Sequence, residues 1–344
     1  IFAIFRNISH NNMVSKSSST KVKFVEFLSV SVHIIYHSKD VMKSVLQSKN
    51  LSTQYKGDVK EPFTEADVKI QTFIFSGLKY HFPTLNVQGE EDEVYEGKFD
   101  VDPATFKKDV IDVKLFEGKI PEEFDTNDAV VWVDPIDATA SFISGDLEHC
   151  TTLIGLAING EAVVGVIGHY YSRDEVTNEL IEAPKVYFSH AEHNKIFVMD
   201  LDKGLGEPKS VEVPKTRSYE GKSTKLRVPR GSKTENAKNL LALLEKNFDV
   251  EVNNYDGAGI RMLMIALDLI DVYVEDKNLT KRWDICAGDA LIRSAGFFFT
   301  DFEGGRYKYP SAKVGHYNDK GLVVTRNQKV HEEVLEALKS YSME

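Results

Sequence analysis

Apolar residues recur at helical spacing through residues 21–49, where Val22, Val25, Phe27, Leu28, Val32, Ile35, Val41 and Leu46 predict one long amphipathic helix. A second helix follows Thr64, with Ile70, Phe73, Ile74 and Leu78 on one side, and Pro83 ends it. Leu85 to Val87 reads as a short strand running into Gly89-Glu90-Glu91-Asp92. The run from Ala129 to Val133 is uniformly apolar and predicts a buried strand, which Pro135 is expected to stop at Asp134. Thr151 to Ile158 and Glu161 to Gly168 are apolar runs joined by Asn159-Gly160, the signal of a type I′ hairpin. Antiparallel sheet is therefore expected at the centre of the chain.

Between these segments the pattern weakens. Residues 93–128 are acidic and aperiodic, an irregular insertion with one short helix expected around Ala104 to Val113. Lys185 to Phe188 and Lys195 to Val198 are expected strands, and Asp202 to Pro214 a loop. The second half alternates more regularly. Strands are expected at Leu226 to Pro229, Val250 to Val252, Val272 to Val274, Phe297 to Asp301 and Gly321 to Thr325. Helices are expected at Thr234 to Asn247 (Leu240, Leu241, Leu243 and Leu244 buried), Ile260 to Leu269, Trp283 to Ala295 with Gly296 at its C′ position, and Gln328 to Tyr341. This order implies layered helices and sheets of mixed strand direction. The expected division is an extension at residues 1–20, an α+β part at 21–225 and an α/β part at 226–344.

Composition narrows the function. With 344 residues the chain can bury a large core. Its net charge of -11 argues against a nucleic-acid partner, which usually meets a basic face. The most apolar N-terminal run, Phe24 to Tyr36, is too short to span a bilayer. Cys150 and Cys286 make no disulfide framework, so they are expected as reduced thiols in a cytoplasmic protein.

Four acidic features could carry chemistry. Thr64-Glu65-Ala66-Asp67 stands at a helix start, where a capping box is the plain alternative. Gly89-Glu90-Glu91-Asp92 follows a strand, with a solvated acidic turn as its alternative. In Asp134-Pro135-Ile136-Asp137-Ala138-Thr139, two carboxylates crowd a strand end and repel each other unless a cation lies between them; the alternative is an Asx-turn with Asp137 or Thr139 capping the next helix. Asp284 opens a helix, where the dipole alone favours a carboxylate. Together, Asp67, Glu90, Asp134, Asp137, Asp284 and the Ile136 carbonyl form a hard oxygen donor set for two or three Mg²⁺ ions. Thr139 would stand at a helix N-terminus, whose free N–H groups suit a phosphate. His149 and His169 are expected on a hairpin face, not as ligands.

In this order the motifs Trp132-Val133-Asp134-Pro135-Ile136-Asp137-Ala138-Thr139, Gly89-Glu90-Glu91 and Trp283-Asp284 resemble those of the inositol monophosphatase superfamily of lithium-sensitive, magnesium-dependent phosphatases, over roughly residues 21–342. Phe82-Pro83-Thr84-Leu85, Thr152-Leu153-Ile154-Gly155, Gly257-Ala258-Gly259 and Lys281-Arg282-Trp283-Asp284 are most similar to its 3′(2′),5′-bisphosphate nucleotidases. The resemblance implies a five-layered αβαβα sandwich. It implies Asp67, Glu90, Asp134, Ile136, Asp137 and Asp284 as metal ligands, and Thr139 with Asp67, supported by Thr64, as the group that activates water. It also implies substrate contacts from Ala138, Thr139, Ser232, Lys233, Gly257, Gly259, Lys281 and Asp284.

The expected reaction is removal of the 3′-phosphate of adenosine 3′,5′-bisphosphate, or of its sulfated relative PAPS, by direct attack of water. Lys281, Arg282, Lys233 and Arg230 are candidates for the second phosphate. Inositol 1,4-bisphosphate is the rival substrate, and a non-catalytic phospho-ligand sensor the rival class. Ala138 stands where the family usually has Gly or Ser, Gly296-Phe297 replaces a Gly-Gly pair, and Ser232 falls where the nucleotidases carry a histidine.

Overall fold

A computed structural model describes residues 20–48, 51–56, 61–211, 218–221, 224–230, 234–312 and 315–341. The long N-terminal pattern resolves into strand β1 (Lys21–Lys23) and helix α1 (Phe24–Ser48). Strands β2 (Gln54–Lys56) and β3 (Glu61–Phe63) pair antiparallel before helix α2 (Glu65–His81). Strands β4 (Asn86–Gly89), β5 (Glu123–Asp125) and β6 (Ala129–Asp137) follow, with β5 paired to β1.

Helix α3 (Thr139–Ser144) leads to β7 (Thr151–Ile158), β8 (Glu161–Arg173), β9 (Leu180–His190), β10 (Ile196–Asp200) and β11 (Lys209–Val211). The remaining elements are β12 (Lys225–Pro229), α4 (Glu235–Asn247), β13 (Asp249–Asn253), α5 (Ala258–Ala266), β14 (Val272–Glu275), α6 (Arg282–Ser294), β15 (Phe298–Thr300), β16 (Leu322–Thr325) and α7 (Gln328–Leu338).

The central sheet has the order β11-β10-β9-β8-β7-β6-β4, antiparallel except where β4 joins β6. Both faces of β6 are buried, so the strand shows no polar alternation. Its two-residue period sends Val131 and Val133 into the core under α1 and α2, and Val130 and Trp132 into the core under α5 and α6. Beyond α5 and α6 lie β12–β13 and the sheet β14-β16-β15, and α4 and α7 cover these in turn. The layers run helix, sheet, helix, sheet, helix, the five-layered αβαβα arrangement expected. Among the described residues no helix is long and apolar enough to cross a membrane.

Several local expectations change. The turn residues Asn159 and Gly160 both take positive φ, 51° and 78°, as a type I′ hairpin requires, and β8 runs five residues past Gly168. No helix forms over Ala104 to Val113. Two short 3₁₀ turns, Pro103–Thr105 and Val113–Leu115, stand there, each capped by an aspartate (Asp102, Asp112) that accepts the second N–H after it. The region 202–214 contains β11. Leu241 and Leu243 are half-buried, since α4 turns only Leu240 and Leu244 fully inward. His149 lies in a 3₁₀ turn after α3; His169 is on the hairpin, its Nε2 2.9 Å from the Glu148 carbonyl. Cys150 and Cys286 are buried free thiols.

Candidate metal centre

The strand β6 does not stop at Asp134. It continues through Pro135 to Asp137, and its pairing with β7 shifts between Asp134 (opposite Leu153) and Asp137 (opposite Thr151). Pro135 and Ile136 therefore face Thr152 alone, which is a bulge, and proline's missing N–H falls where the ladder is already broken. The Thr152 hydroxyl holds the bulge by donating to the Pro135 carbonyl at 2.9 Å. The chain then turns through Ala138 in left-handed conformation, φ 68°, and enters α3 at Thr139. One strand end thus presents Asp134, Asp137 and Thr139 together.

Three other elements converge on it. Parallel pairing with β6 carries β4 to Glu90, whose N–H donates to the Val133 carbonyl at 3.2 Å. The start of α6 supplies Asp284, which accepts the Lys281 N–H at 2.7 Å. Carboxylate oxygens of Glu90, Asp134 and Asp284 lie within 4.8 Å of one another, and Asp134 Oδ1 is buried with no hydrogen-bond partner. An ionised buried oxygen in that state needs a proton or a cation. Hard carboxylate donors at this spacing suit Mg²⁺, so the residues fit the ion that the family resemblance implies.

The start of α2 supplies Asp67, which is fully buried. Its Oδ2 accepts the Thr64 N–H and the Thr64 hydroxyl, each at 2.7 Å, while the Thr64 hydroxyl accepts the Ala66 N–H at 3.2 Å. The capping box is real, and it leaves Asp67 Oδ1 to Thr139, whose hydroxyl lies 3.2 Å away and 3.0 Å from the Ile136 carbonyl. Asp137 is a helix cap as well, though of α5, not of α3: it accepts the N–H groups of Ala258 (3.2 Å) and Gly259 (2.7 Å) and the Thr151 hydroxyl (3.3 Å). Neither Asp67 nor Asp137 belongs to the tight trio. They stand at its flanks, where both repel a charge on Asp134.

Burial and this crowding raise the four aspartates of the group. Burial pushes Asp67 up to about 7, with Glu90 adding to the effect; burial and Glu90 push Asp284 to about 8; burial pushes Asp137 to about 6, against the two amides it caps. Asp134 rises well above the usual carboxylate range through burial and then Glu90.

A cleft of about 280 Å³ opens over these groups. Lys281 lines it. Arg282 does not: its guanidinium is buried and donates to the Lys308 carbonyl at 2.7 Å, the Tyr317 carbonyl at 3.1 Å and Asn318 Oδ1, which rules it out for a substrate phosphate. Gly257 and Gly259 bring the backbone of α5 against Asp137, since a Cβ at Gly259 would lie 3.0 Å from Asp137 Oδ2 and 2.8 Å from Leu153 Cδ2. Ser232 and Lys233 lie outside the described residues, and Arg230 is exposed.

Three residues of this neighbourhood escape sequence reasoning. Lys56, from an aperiodic connector, reaches Glu90 and Glu91. Arg261 and Glu275, both buried, form an ion pair at 2.6 Å on the cleft wall. The one available signal was for Arg261, a lone charge within the otherwise apolar run Ala258 to Ala266.

The sequence pattern of the inositol monophosphatase family matches residues 24–343, and the chain belongs to that family. It is 25% identical over 342 residues to the putative inositol monophosphatase 3 of Drosophila melanogaster, covering 96% of this chain and 85% of the relative. It is 25% identical over 288 residues to the human 3′(2′),5′-bisphosphate nucleotidase 1, covering 83% and 85%. The Thermotoga maritima inositol monophosphatase has the same fold, with a TM-score of 0.61 at 18% identity over 91% of this chain and 97% of that one. So has an inositol monophosphatase/NADP phosphatase solved with Mg²⁺ and phosphate, with a TM-score of 0.55 at 14% identity over 88% and 92%. The chain is thus a phosphatase of small phosphate esters.

Proposed function

We propose that this chain is a Mg²⁺-dependent phosphomonoesterase that removes the 3′-phosphate of adenosine 3′,5′-bisphosphate to give AMP. The observation that carries the metal-dependent reaction is the unpartnered Asp134 Oδ1 among Glu90 and Asp284. Asp67, Glu90, Asp134, Asp137, Asp284 and the Ile136 carbonyl hold the ions, two or three per site. Mg²⁺ held there would acidify water and offset charge on the phosphate and the leaving oxygen. The Thr139 hydroxyl orients the attacking water and passes its proton to Asp67 Oδ1, and Thr64 fixes Asp67 by occupying Oδ2. The N–H groups of Ala138 and Thr139 face the scissile phosphate. Water attacks phosphorus in line, the P–O bond to the 3′ oxygen breaks, and the leaving alkoxide takes a proton from solvent to depart as the hydroxyl.

The name of the human relative supports the nucleotide, as does Lys281 at the cleft wall, a cation for the second phosphate. One observation favours the inositol rival: Glu275 lines the same wall with a buried, unpartnered Oε1, an acceptor suited to hydroxyl groups. The division near residue 225 is part of the proposal: the ligands other than Asp284 come from before it, and Asp284 and Lys281 from after it.

The test is phosphate release from both substrates, with and without Mg²⁺. A kcat/KM higher for the nucleotide is expected; a preference of about tenfold for inositol 1,4-bisphosphate, about 1.4 kcal/mol, reverses the substrate. Release that is undetectable, or that survives Asp134→Asn unchanged, overturns the enzymatic reading.

A further inference from the structure

Lys56 sits at the end of β2, beside the acidic trio and outside the ligand set. Its Nζ lies 2.8 Å from Glu90 Oε1 and 2.7 Å from Glu91 Oε1. The contact is built from several sides. Gln71 of α2 holds the backbone of Glu91 in both directions: its Nε2 donates to the Glu91 carbonyl at 2.7 Å, and its Oε1 accepts the Glu91 N–H at 2.9 Å. The aromatic ring of Phe63 on β3 lies 5.6 Å from the ammonium. Glu91 is buried, and its second oxygen has no hydrogen-bond partner.

An ammonium that shares Glu90 with a metal site cannot be indifferent to the metal. Like charges repel, and the repulsion is strong where water is scarce. The same ammonium offsets the mutual repulsion of Glu90 and Glu91 when no metal is bound. We infer that Lys56 is an internal counter-cation that holds the acidic site together without metal and competes with Mg²⁺ for Glu90, so that it sets the metal affinity. It acts through Glu90 and is a positioning residue. The inference rests on the reading of Glu90, Asp134 and Asp284 as metal ligands.

Its signature is a pair of effects in opposite directions. Removing the charge lowers the stability of the metal-free protein and tightens Mg²⁺ binding. A lysine that only ties β2 to the loop after β4 lowers stability and leaves Mg²⁺ binding unchanged or weaker. Lys56→Met removes charge and donors, Lys56→Gln keeps donors without charge, and Lys56→Arg keeps the charge.

Calorimetric titration of the metal-stripped full chain with MgCl₂, with thermal melts in EDTA, reads both effects. We expect Met and Gln to bind Mg²⁺ at least roughly fivefold more tightly, with lower metal-free Tm, and Arg to stay within about twofold of the parent. Unchanged or weaker Mg²⁺ binding in Gln, the milder variant, overturns the inference even if Met does not fold. A parent chain that takes up no Mg²⁺ overturns the metal reading itself, a separate outcome.

Discussion

Ala138 shows how one backbone angle sets a residue preference. At φ 68° an alanine pays for its Cβ, and glycine does not. Ala138→Gly is therefore expected to stabilise the fold by about 0.5–1 kcal/mol, the larger entropy of the unfolded glycine offsetting part of the gain. Urea denaturation of both proteins checks this, and a destabilised variant contradicts it. Thr139 carries a sharper prediction. Thr139→Val keeps the shape of the side chain and removes the hydroxyl that links water to Asp67. We expect kcat to fall about 10²- to 10⁴-fold while Mg²⁺ affinity holds within about twofold. Single-turnover phosphate release and calorimetry separate these effects; a loss confined to Mg²⁺ affinity would make Thr139 a metal-shell residue instead. The ligand candidates were legible at this scale because carboxylates at strand and helix ends are visible in a sequence. Lys56, Glu91 and Arg282 were not. Long cations and paired acids usually face water, and only the packed structure reveals that Glu91 and Arg282 are buried and Lys56 half-buried against the acidic site.

At the scale of elements, the bulge in β6 is the feature that sequence rules miss. Proline is a sound stop signal for a regular ladder, yet here the irregular step accommodates it and carries the strand on to Asp137. Most elements were readable from their periodicity: α2, the β7–β8 hairpin and α4 to α7 differ from expectation only near their ends. The insertion at 93–128 was not, because its turns are held by single aspartate caps and not by any periodic face. The contact between Asp137 and α5 was equally invisible, since residues more than a hundred positions apart make it. It supplies a test. In Gly259→Ala the added methyl meets Thr151 Oγ1 and lies 2.8 Å from Leu153 Cδ2 and 3.0 Å from Asp137 Oδ2, so the start of α5 must move away from its cap. We expect a loss of about 1–3 kcal/mol in urea denaturation together with weaker Mg²⁺ binding. A variant as stable as the parent would show that the close approach is not needed.

Across the whole molecule, two sets of buried groups pull stability in opposite directions with pH. Without metal, Asp67 (about 7), Asp284 (about 8), Asp137 (about 6) and Asp134 (raised further by burial and its neighbours) hold protons in the fold that the unfolded chain releases near pH 4. Between those values the folded state binds more protons, so stability falls as pH rises, by about 1.4 kcal/mol per pH unit for each proton so held. His33, His190 and His331 are lowered to about 4, each chiefly by burial. The unfolded chain takes up their protons first, so stability falls as pH drops below about 6.5. Between about pH 4 and 6.5 the two sets therefore largely cancel, and above about pH 6.5 the carboxyls act alone, so the metal-free protein should lose stability steadily as pH rises through 7 and 8. Mg²⁺ binds the ionised carboxylates and replaces their protons, so the gain in Tm on adding it should be small at pH 5.5 and grow steadily to pH 8.5. Thermal melts in EDTA and in MgCl₂ across this range measure both curves. A gain from Mg²⁺ that stays level as pH rises would mean that these carboxylates keep their charge without metal, and the buried acidic site would then need counter-charges beyond Lys56 and its own protons.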